Sequence, residues 1–548
     1  MSAALLLLAW LAPLLLAAVA HHRAGRWLPA LAALPALAAV PLLPADFVLE
    51  LPWLLLGVQL GLDATGRVFL LGSALLWTGA ALYAPHSLQA DPRAGRFRVF
   101  FLLAMAGNLL LVVAQDAVSF YLGFALMGLA AYGLVAQRAS LGARRAARTY
   151  LGWTIVGEVL LFAALVLLAS GAPGLGFGQL RAAAPGDAAV LLLLLGFGIK
   201  VALPGLHGWL PLAYPAAPAA GAAVLSGAMI NAGLLGWLRF LPLGETGHHD
   251  WGMLLLGLGL FGTFYGVAIG LLQRRPKVVL AYSSISQLGL LSAALGLALA
   301  APDQAPLLLA AVTLYALHHG LAKGALFLAV DAPAHGHHRA WRLLLLGLLA
   351  LTLAGAPLSS GALAKGMYKA ALPADWGWLS SLLVVSTLAT TLLMARFLVL
   401  AWRQPGRGTP WSVAGVAAVL LPLSATLALP WVPLGGGSAA ATAIAPAWPI
   451  AVGAALAIAL RHRPWPLLQR LVGRVPPGDL PAALGRRLQR WRGRLRPPVI
   501  PVPAWPHPRQ PSAATLEALL RAWPLAGALW LALLLGLGLL LAGPTLLP

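Results

Sequence analysis

Apolar runs of about 20 residues, each long enough to cross a bilayer as a helix, recur from one end of the chain to the other. Of the 548 residues, 61% are hydrophobic and only 9% charged. Lipid offers no partner to a backbone N–H or C=O, so each run must close its hydrogen bonds within itself. The pattern excludes a soluble domain and predicts an all-α polytopic protein embedded in a lipid bilayer. Cysteine is absent, which excludes disulfides, thiolate-held zinc and iron–sulfur clusters. There is no nucleotide loop or flavin motif either. No cofactor, metal or catalytic redox centre is therefore expected, and the source of energy must lie in other subunits. The net charge of +22 does not indicate nucleic acid, because the arginines gather in loops between apolar runs, as membrane orientation requires.

The first run, 2–20, has no basic residue before it and HHRAGR after it. A signal peptide carries its charge on the other side, so an uncleaved span with an outside N-terminus is expected. Sixteen spans are read, the last at 520–543, which puts the C-terminus outside as well. Loop charges alternate with them. Arg23 and Arg26, Arg93 to Arg98, Arg138 to Arg148, Arg274 to Lys277, Arg339 with Arg342, and Arg403 with Arg407 share one side. Asp46, Glu50, Asp63, Asp187, Glu245, Asp250, Asp303 and Asp375 take the other. The basic side is then cytoplasmic, and a bacterial inner (plasma) membrane is the expected location. In the basic, proline-rich segment 461–519, an amphipathic surface segment such as Leu480 to Leu495 and a plain disordered loop are both compatible with the composition.

Lysine is used sparingly: of 36 basic residues only Lys200, Lys277, Lys323, Lys365 and Lys369 are lysines. Arginine is effectively never deprotonated, whereas a desolvated lysine can release its proton near neutral pH. Lys200 lies well inside the apolar stretch AVLLLLLGFGIKVALPGLHGWLPLAYPAAP. A charge at that depth costs at least about 2.5 to 3.5 kcal/mol on insertion scales, which makes it a functional candidate. Pro204 cannot donate to the Lys200 carbonyl, so the helix is expected to break there. Irregular backbone at membrane depth survives only when buried in protein or lining a wet cavity. Snorkelling or static ion pairing is the alternative for such lysines. It suits Lys369, and Lys277 in RRPKVVLAYSSISQLG reads as a span anchor; for Lys200, Lys323 and Lys365 proton exchange is the preferred reading.

Glu158, within TYLGWTIVGEVLLFAALVLL, is the carboxylate nearest a span centre, either a neutral helix-packing group or a tuner of a lysine's proton affinity. Glu158 precedes Lys200 by 42 residues, Lys323 precedes Lys365 by 42, and the pairs are displaced by 165. The spacing suggests two related halves, a known transporter architecture. A second interruption supports it: Pro357, Ser359, Ser360 and Gly361 precede Lys365 in LAGAPLSSGALAKGMYKA. In YALHHGLAKGALFL, Tyr315, His319 and Lys323 are spaced by four and share one helix face. A His and a Lys one turn apart make a step in a proton relay, although His319 and His318 could equally be core histidines bonded to the backbone. His207 could link Lys200 to the cytoplasmic side or sit at the interface. Asn231 can hydrogen-bond but cannot carry charge.

On GFGIKVALPGLHGWLPLAYPAAP, LSGAMINAGLLGWLRF, LAYSSISQLG, LHHGLAKGALFL and AGAPLSSGALAKG, the chain resembles the antiporter-like subunits of respiratory complex I. These are shared with membrane-bound hydrogenase arms and multisubunit sodium/proton antiporters, and the resemblance covers roughly residues 95 to 405. It implies two inverted five-helix repeats with broken helices, at 96–242 and 243–405. Around them the expected divisions are 1–95 with three N-terminal spans, 406–460 with two more, the segment 461–519, and 520–548 with the last span. The resemblance further implies that Lys200 is the first-half lysine, Lys323 a central relay residue and Lys365 the residue leading outward. Two positions depart from the family. Its carboxylate on the fifth span falls at Ala125, and its basic residue on the eighth falls at Asn231.

The preferred reading is a proton-translocating subunit of a complex I or hydrogenase-type assembly, partnered by other integral and peripheral subunits. Its polar chain would comprise Glu158, Lys200, His207, His318, His319, Lys323 and Lys365, with Asn231, Tyr315 and Ser360 along the path. Exchange of sodium or potassium for protons, the membrane arm of an inorganic-carbon uptake complex, and an anchor that no longer conducts are the alternatives.

Overall fold

The computed structural model describes residues 1–478 apart from 22, 46, 55, 90, 246, 333–336, 405–411, 433–445 and 463–469. The expected span at 520–543, the segment Leu480 to Leu495, Asp46 and Arg407 lie outside the described residues. Helices α1 (Ser2–Ala17), α2 (Leu28–Ala32) and α3 (Leu34–Leu42) come first. A hairpin follows that the apolar periodicity does not announce: β1 (Val48–Leu51) runs antiparallel to β2 (Val58–Gly61), with Val48 opposite Gly61.

Helix starts are fixed by acceptors that satisfy free backbone N–H groups. Asp63 accepts from the Gly66 N–H at 2.8 Å to open α4 (Ala64–Ser87), and Arg239 grips the same carboxylate through two bonds of 2.5 and 2.7 Å. After α5 (Ala94–Val113), Asp116 opens α6 (Ala117–Val135) and also accepts from the Gln59 N–H at 2.9 Å, which ties the hairpin to the bundle. Ser140 caps α7 (Leu141–Gly171). The chain continues through α8 (Phe177–Ala182), α9 (Asp187–Val201), α10 (Leu210–Ala216) and α11 (Ala219–Val224). A π-helical turn at Leu225–Met229 leads into α12 (Asn231–Phe240).

The remaining described helices are α13 (His249–Leu271), α14 (Pro276–Ala300), α15 (Ala305–Val330), α16 (His337–Ala354), α17 (Ser360–Ala370), α18 (Gly377–Arg403), α19 (Val413–Ala428) and α20 (Trp448–His462). Eleven helical stretches among the described residues are long and apolar enough to cross a membrane, so the protein is a multi-pass membrane protein. They belong to one compact unit, Met1–Arg486. Within it α14 and the α11–α12 stretch are buried throughout, whereas α7 turns Ile155, Val156, Val159, Phe162 and Val166 outward.

Between membrane helices the hydrophobic effect gives little, so close packing must hold the bundle together. The α13–α14 pair shows how. A Cβ on Gly259 would lie 2.4 Å from the Ala293 nitrogen, and one on Gly296 would lie 2.4 Å from the Leu256 nitrogen. Only hydrogen at these positions lets the backbones meet. Gly107 and Gly123 do the same between α5 and α6. Gly259→Leu should therefore lower the melting temperature and yield of purified protein sharply, while Gly257→Ala, which meets nothing within 4 Å, should leave both unchanged; thermal unfolding in detergent checks the contrast.

Candidate functional site

The first interruption lies where Pro204 forbids a continuous helix. α9 stops at Val201, Ala202 turns left-handed at φ 63°, and Gly205 follows at φ 87°. The carbonyls freed by the break are caught locally: the Trp209 indole N–H donates to Ile199 O at 2.8 Å and the Leu203 N–H to Gly198 O at 2.9 Å. Lys200 therefore sits in the last turn of a half-helix, where the backbone dipole favours positive charge. Its Nζ donates to the Tyr150 hydroxyl at 3.3 Å and lies 5.6 and 5.7 Å from the ring centres of Tyr150 and Phe124. A cleft bordered by Phe124, Tyr150, Thr154, Gly157 and Trp209 has Lys200 in its wall.

Glu158, on α7, is buried, and neither carboxylate oxygen has a hydrogen-bond partner. Its Oε1 lies against Gly128 on α6, and among the described residues it forms no ion pair with Lys200. His207 accepts from the Gly205 N–H at 3.2 Å through Nδ1, and its ring centre is 5.4 Å from that of Tyr265.

The second interruption, expected from Pro357 to Gly361, separates α16 from α17. Gly355 at φ 92° and Leu358 at φ 60° make the turn, and the Ser359 side chain accepts from the Ala362 N–H to restart the helix. Lys365 reaches back across the gap. Its Nζ donates to Ala354 O at 2.9 Å and to Thr387 Oγ1, on α18, at 3.0 Å. The ammonium thus lies at the negative end of α16.

Between the interruptions runs α15. His318 Nδ1 is 2.7 Å from Ser360 Oγ on α17, and Lys323 donates to Leu280 O on α14 at 2.9 Å. Tyr315 donates to Gln287 Oε1 at 2.7 Å, and Gln287 donates onward to Thr390 Oγ1 at 3.1 Å. Asn231 holds α12 to α15 by donating to Gly227 O and Ala316 O, both at 2.9 Å. Both ring nitrogens of His319, His318 Nε2, Asn231 Oδ1 and the hydroxyls of Ser283 and Ser286 are buried without a protein partner. The arrangement brings His318, Ser360 and Lys365 together, sets Lys323 and Tyr315 along α14, and keeps Glu158 with Lys200 in a separate group. No hydrogen bond among the described residues joins Lys200 to Asn231 or Lys323 to Lys365.

Sequence reasoning misses Tyr150, Thr387, Gln287 and Trp209, because an uncharged hydroxyl, amide or indole in an apolar run carries no distinctive pattern. Tyr150 had one available signal: it precedes Tyr315 by 165 residues, the displacement of the charged pairs. Among the described residues no His, Asp and Glu cluster is arranged to hold a metal ion.

Interrupted helices that carry buried amines inside a many-helix bundle are an architecture also found in transporters, whose sites lie at such breaks. Residues 114–402 match the family described as NADH:quinone oxidoreductase/Mrp antiporter, transmembrane, and the chain belongs to that family. An uncharacterized protein of Mycobacterium tuberculosis is 32% identical over 62% of this chain and 54% of its own length. Hydrogenase-4 component B of Escherichia coli is 30% identical over 50% of this chain and 43% of its own. The chain thus spans about half the length of these curated relatives. The fold matches a chain in the Mrp complex from Dietzia sp. DQ12-45-1b with a TM-score of 0.72 and 22% identity, over 100% of this chain and 63% of that one.

Thr387→Val removes one of the two acceptors of a buried ammonium, so it should destabilise the protein by about 1 to 3 kcal/mol. Thr387→Ser should not, and melting temperatures of the two variants in detergent provide the comparison.

Proposed function

We propose that the chain is a proton-translocating, antiporter-like subunit of a multisubunit membrane complex of the complex I or hydrogenase type. One observation carries the reading. Lys200, Lys323 and Lys365, buried in the bundle, each donate to neutral oxygens, and among the described residues none is paired with a carboxylate. A lysine with a fixed counter-ion is held in its charged form, whereas one bound to a carbonyl or hydroxyl can give up its proton without stranding a buried anion. The family supports the same reading, since its description covers quinone-reducing and antiporter assemblies.

The route begins at Glu158, which takes the place of the carboxylate missing at Ala125. Its Oε1 rests on Gly128, one turn along α6 from Ala125. Lys200 follows, then Asn231, His319 and Lys323, and the path leaves through His318, Ser360 and Lys365. His207 links Lys200 to the basic side. Buried polar atoms are normally satisfied by protein or water, and the unpartnered atoms of Glu158, Asn231, His319 and His318 call for water along this line. Protonation of one amine then lowers the proton affinity of the next through their mutual repulsion.

Two inverted five-helix repeats, at 96–242 and 243–405, within sixteen spans complete the proposal. Tyr150 and Glu158 in α7 stand as Tyr315 and Lys323 do in α15, and each tyrosine donates to the preceding helix, at Gly128 O (3.0 Å) or Gln287 (2.7 Å). Both interruptions use a left-handed residue other than glycine. The basic loops face the cytoplasm of a bacterial inner membrane, both termini lie outside, and partner subunits supply the energy. The Mrp antiporter part of the family description favours a second reading, exchange of sodium or potassium for protons.

Lys200→Ala and Lys365→Ala complexes should assemble yet lose proton pumping in proteoliposomes. Unimpaired pumping removes both lysines from the route, and proton flux that depends on sodium or potassium rather than on an electron donor selects the exchange reading.

A further inference from the structure

Lys277 and Asp331 behave differently from the three lysines of the route. Lys277 is the second residue of α14, Asp331 follows directly on α15, and the two form a direct ion pair. The pair straddles a boundary: the Lys277 side chain is 11% exposed and that of Asp331 34%. The carboxylate meets solvent on the basic-loop side, and the amine lies behind it. Arg138, from the turn after α6, stands 3.9 Å from Asp331, while Tyr83 on α4 and Arg342 on α16 feel its charge. Arg275 stands beside Lys277.

A span anchor needs only positive charge, and this chain supplies that with arginine almost everywhere. At this loop Arg274 and Arg275 do so already. The lysine is the residue turned inward onto a carboxylate. From that pair a seam runs inward between α14 and α15. Asp331, Phe327, Lys323 and His319 recur at intervals of four on α15 and so share one face. On α14, Lys277 and Leu280 are three apart and share a face, and Leu280 O is the acceptor of Lys323. Asp331 is thus about 12 Å along the helix from Lys323. Further along α14 the Ser283 hydroxyl is buried without a partner and Ser284 donates at 3.3 Å to the same Leu280 O that holds Lys323, while Phe327 on α15 packs edge-on against Tyr214 with ring centres 5.4 Å apart.

We propose that the Lys277–Asp331 pair is the gate through which protons from the basic-loop side reach Lys323, a proposal that rests on reading Lys323 as a proton carrier. The ionised Asp331 carboxylate takes a proton from water and releases Lys277, which stays an ammonium. The proton moves through water along the seam to the neutral Lys323 amine, which shares the Leu280 O acceptor with the Ser284 hydroxyl. Asp331, ionised again, re-pairs with Lys277, and the seam closes behind the proton. Arg138 steadies the ionised state from outside, and Phe327 limits the seam to a thread of water.

The test uses the reconstituted complex with its native electron or ion donor. Asp331→Asn, which keeps the shape and loses the proton acceptor, should assemble and slow pumping by about a hundredfold. Asp331→Glu should recover most of the rate with a displaced dependence on pH at the basic-loop side. Lys277→Met combined with Asp331→Leu replaces the ion pair by an apolar contact, a change buried pairs often tolerate, and should also assemble without pumping. If Asp331→Asn or the double variant pumps at the wild-type rate with an unchanged pH profile, the pair is an anchor and the gate is wrong. Lys365→Ala run alongside separates this from failure of the broader reading: normal pumping there indicts the route itself, and loss of pumping there with normal pumping in the Asp331 variants indicts the gate alone.

Discussion

An ammonium inside a membrane costs at least about 2.5 to 3.5 kcal/mol even when it can reach toward water, and this fold meets that cost with neutral oxygens and helix ends. Lys200 occupies the last turn of α9, and Lys365 lies at the end of α16, so both amines sit where backbone dipoles add negative potential. Lys323 has no such help. It lies mid-helix and holds a carbonyl of the neighbouring α14, which makes its charged form the least compensated of the three. On the proposed route the centre is therefore the step with the least local compensation for a positive charge.

The interruptions supply this chemistry and have to be held open. Ala202 and Leu358 both adopt left-handed backbone conformations, which cost a residue with a Cβ roughly 1 kcal/mol or more. Each is fixed by polar groups close by in sequence: the Trp209 indole on Ile199 O at the first break, and the Ser359 cap on Ala362 N–H at the second. The glycine contacts of α5–α6 and α13–α14 then clamp the helices around them. Packing, strain and charge are coupled here, since a bundle that loosened at those glycines would no longer hold the half-helices in register with the lysines.

The all-α membrane architecture and both interruptions were legible because each follows from a local rule: uncharged runs of membrane length, a proline that withholds an N–H, and a lysine where arginine is the habit. The hairpin at Val48–Gly61 was not, because it is short and stabilised from outside by Asp116. Partners such as Thr387 for Lys365 escaped for a related reason. A threonine inside an apolar helix commonly bonds its own backbone, as Thr387 also does to Leu383 O at 3.2 Å, and only packing shows that a second donor arrives. The Lys277–Asp331 pair lay between these extremes. Lys277 was read as a span anchor, but Asp331 lies 54 positions away, and sequence alone gives no reason to join them.

The two departures from the family pattern test how far position matters. Ala125 on α6 leaves that helix without a carboxyl group, yet α7 carries Glu158 at a height where its Oε1 touches Gly128, one turn away. A Cβ at position 128 would stand 3.0 Å from Thr154 Cγ2 and 3.2 Å from the Glu158 oxygen, a tight fit that glycine relieves. The coupling between two charged groups depends on the distance and dielectric between them and not on which helix carries them. Asn231 is a different matter. An amide can hold water and fix α12 against α15, but it stores no proton, so on the proposed route the step between Lys200 and Lys323 falls to water and to His319, whose two ring nitrogens are buried without a protein partner.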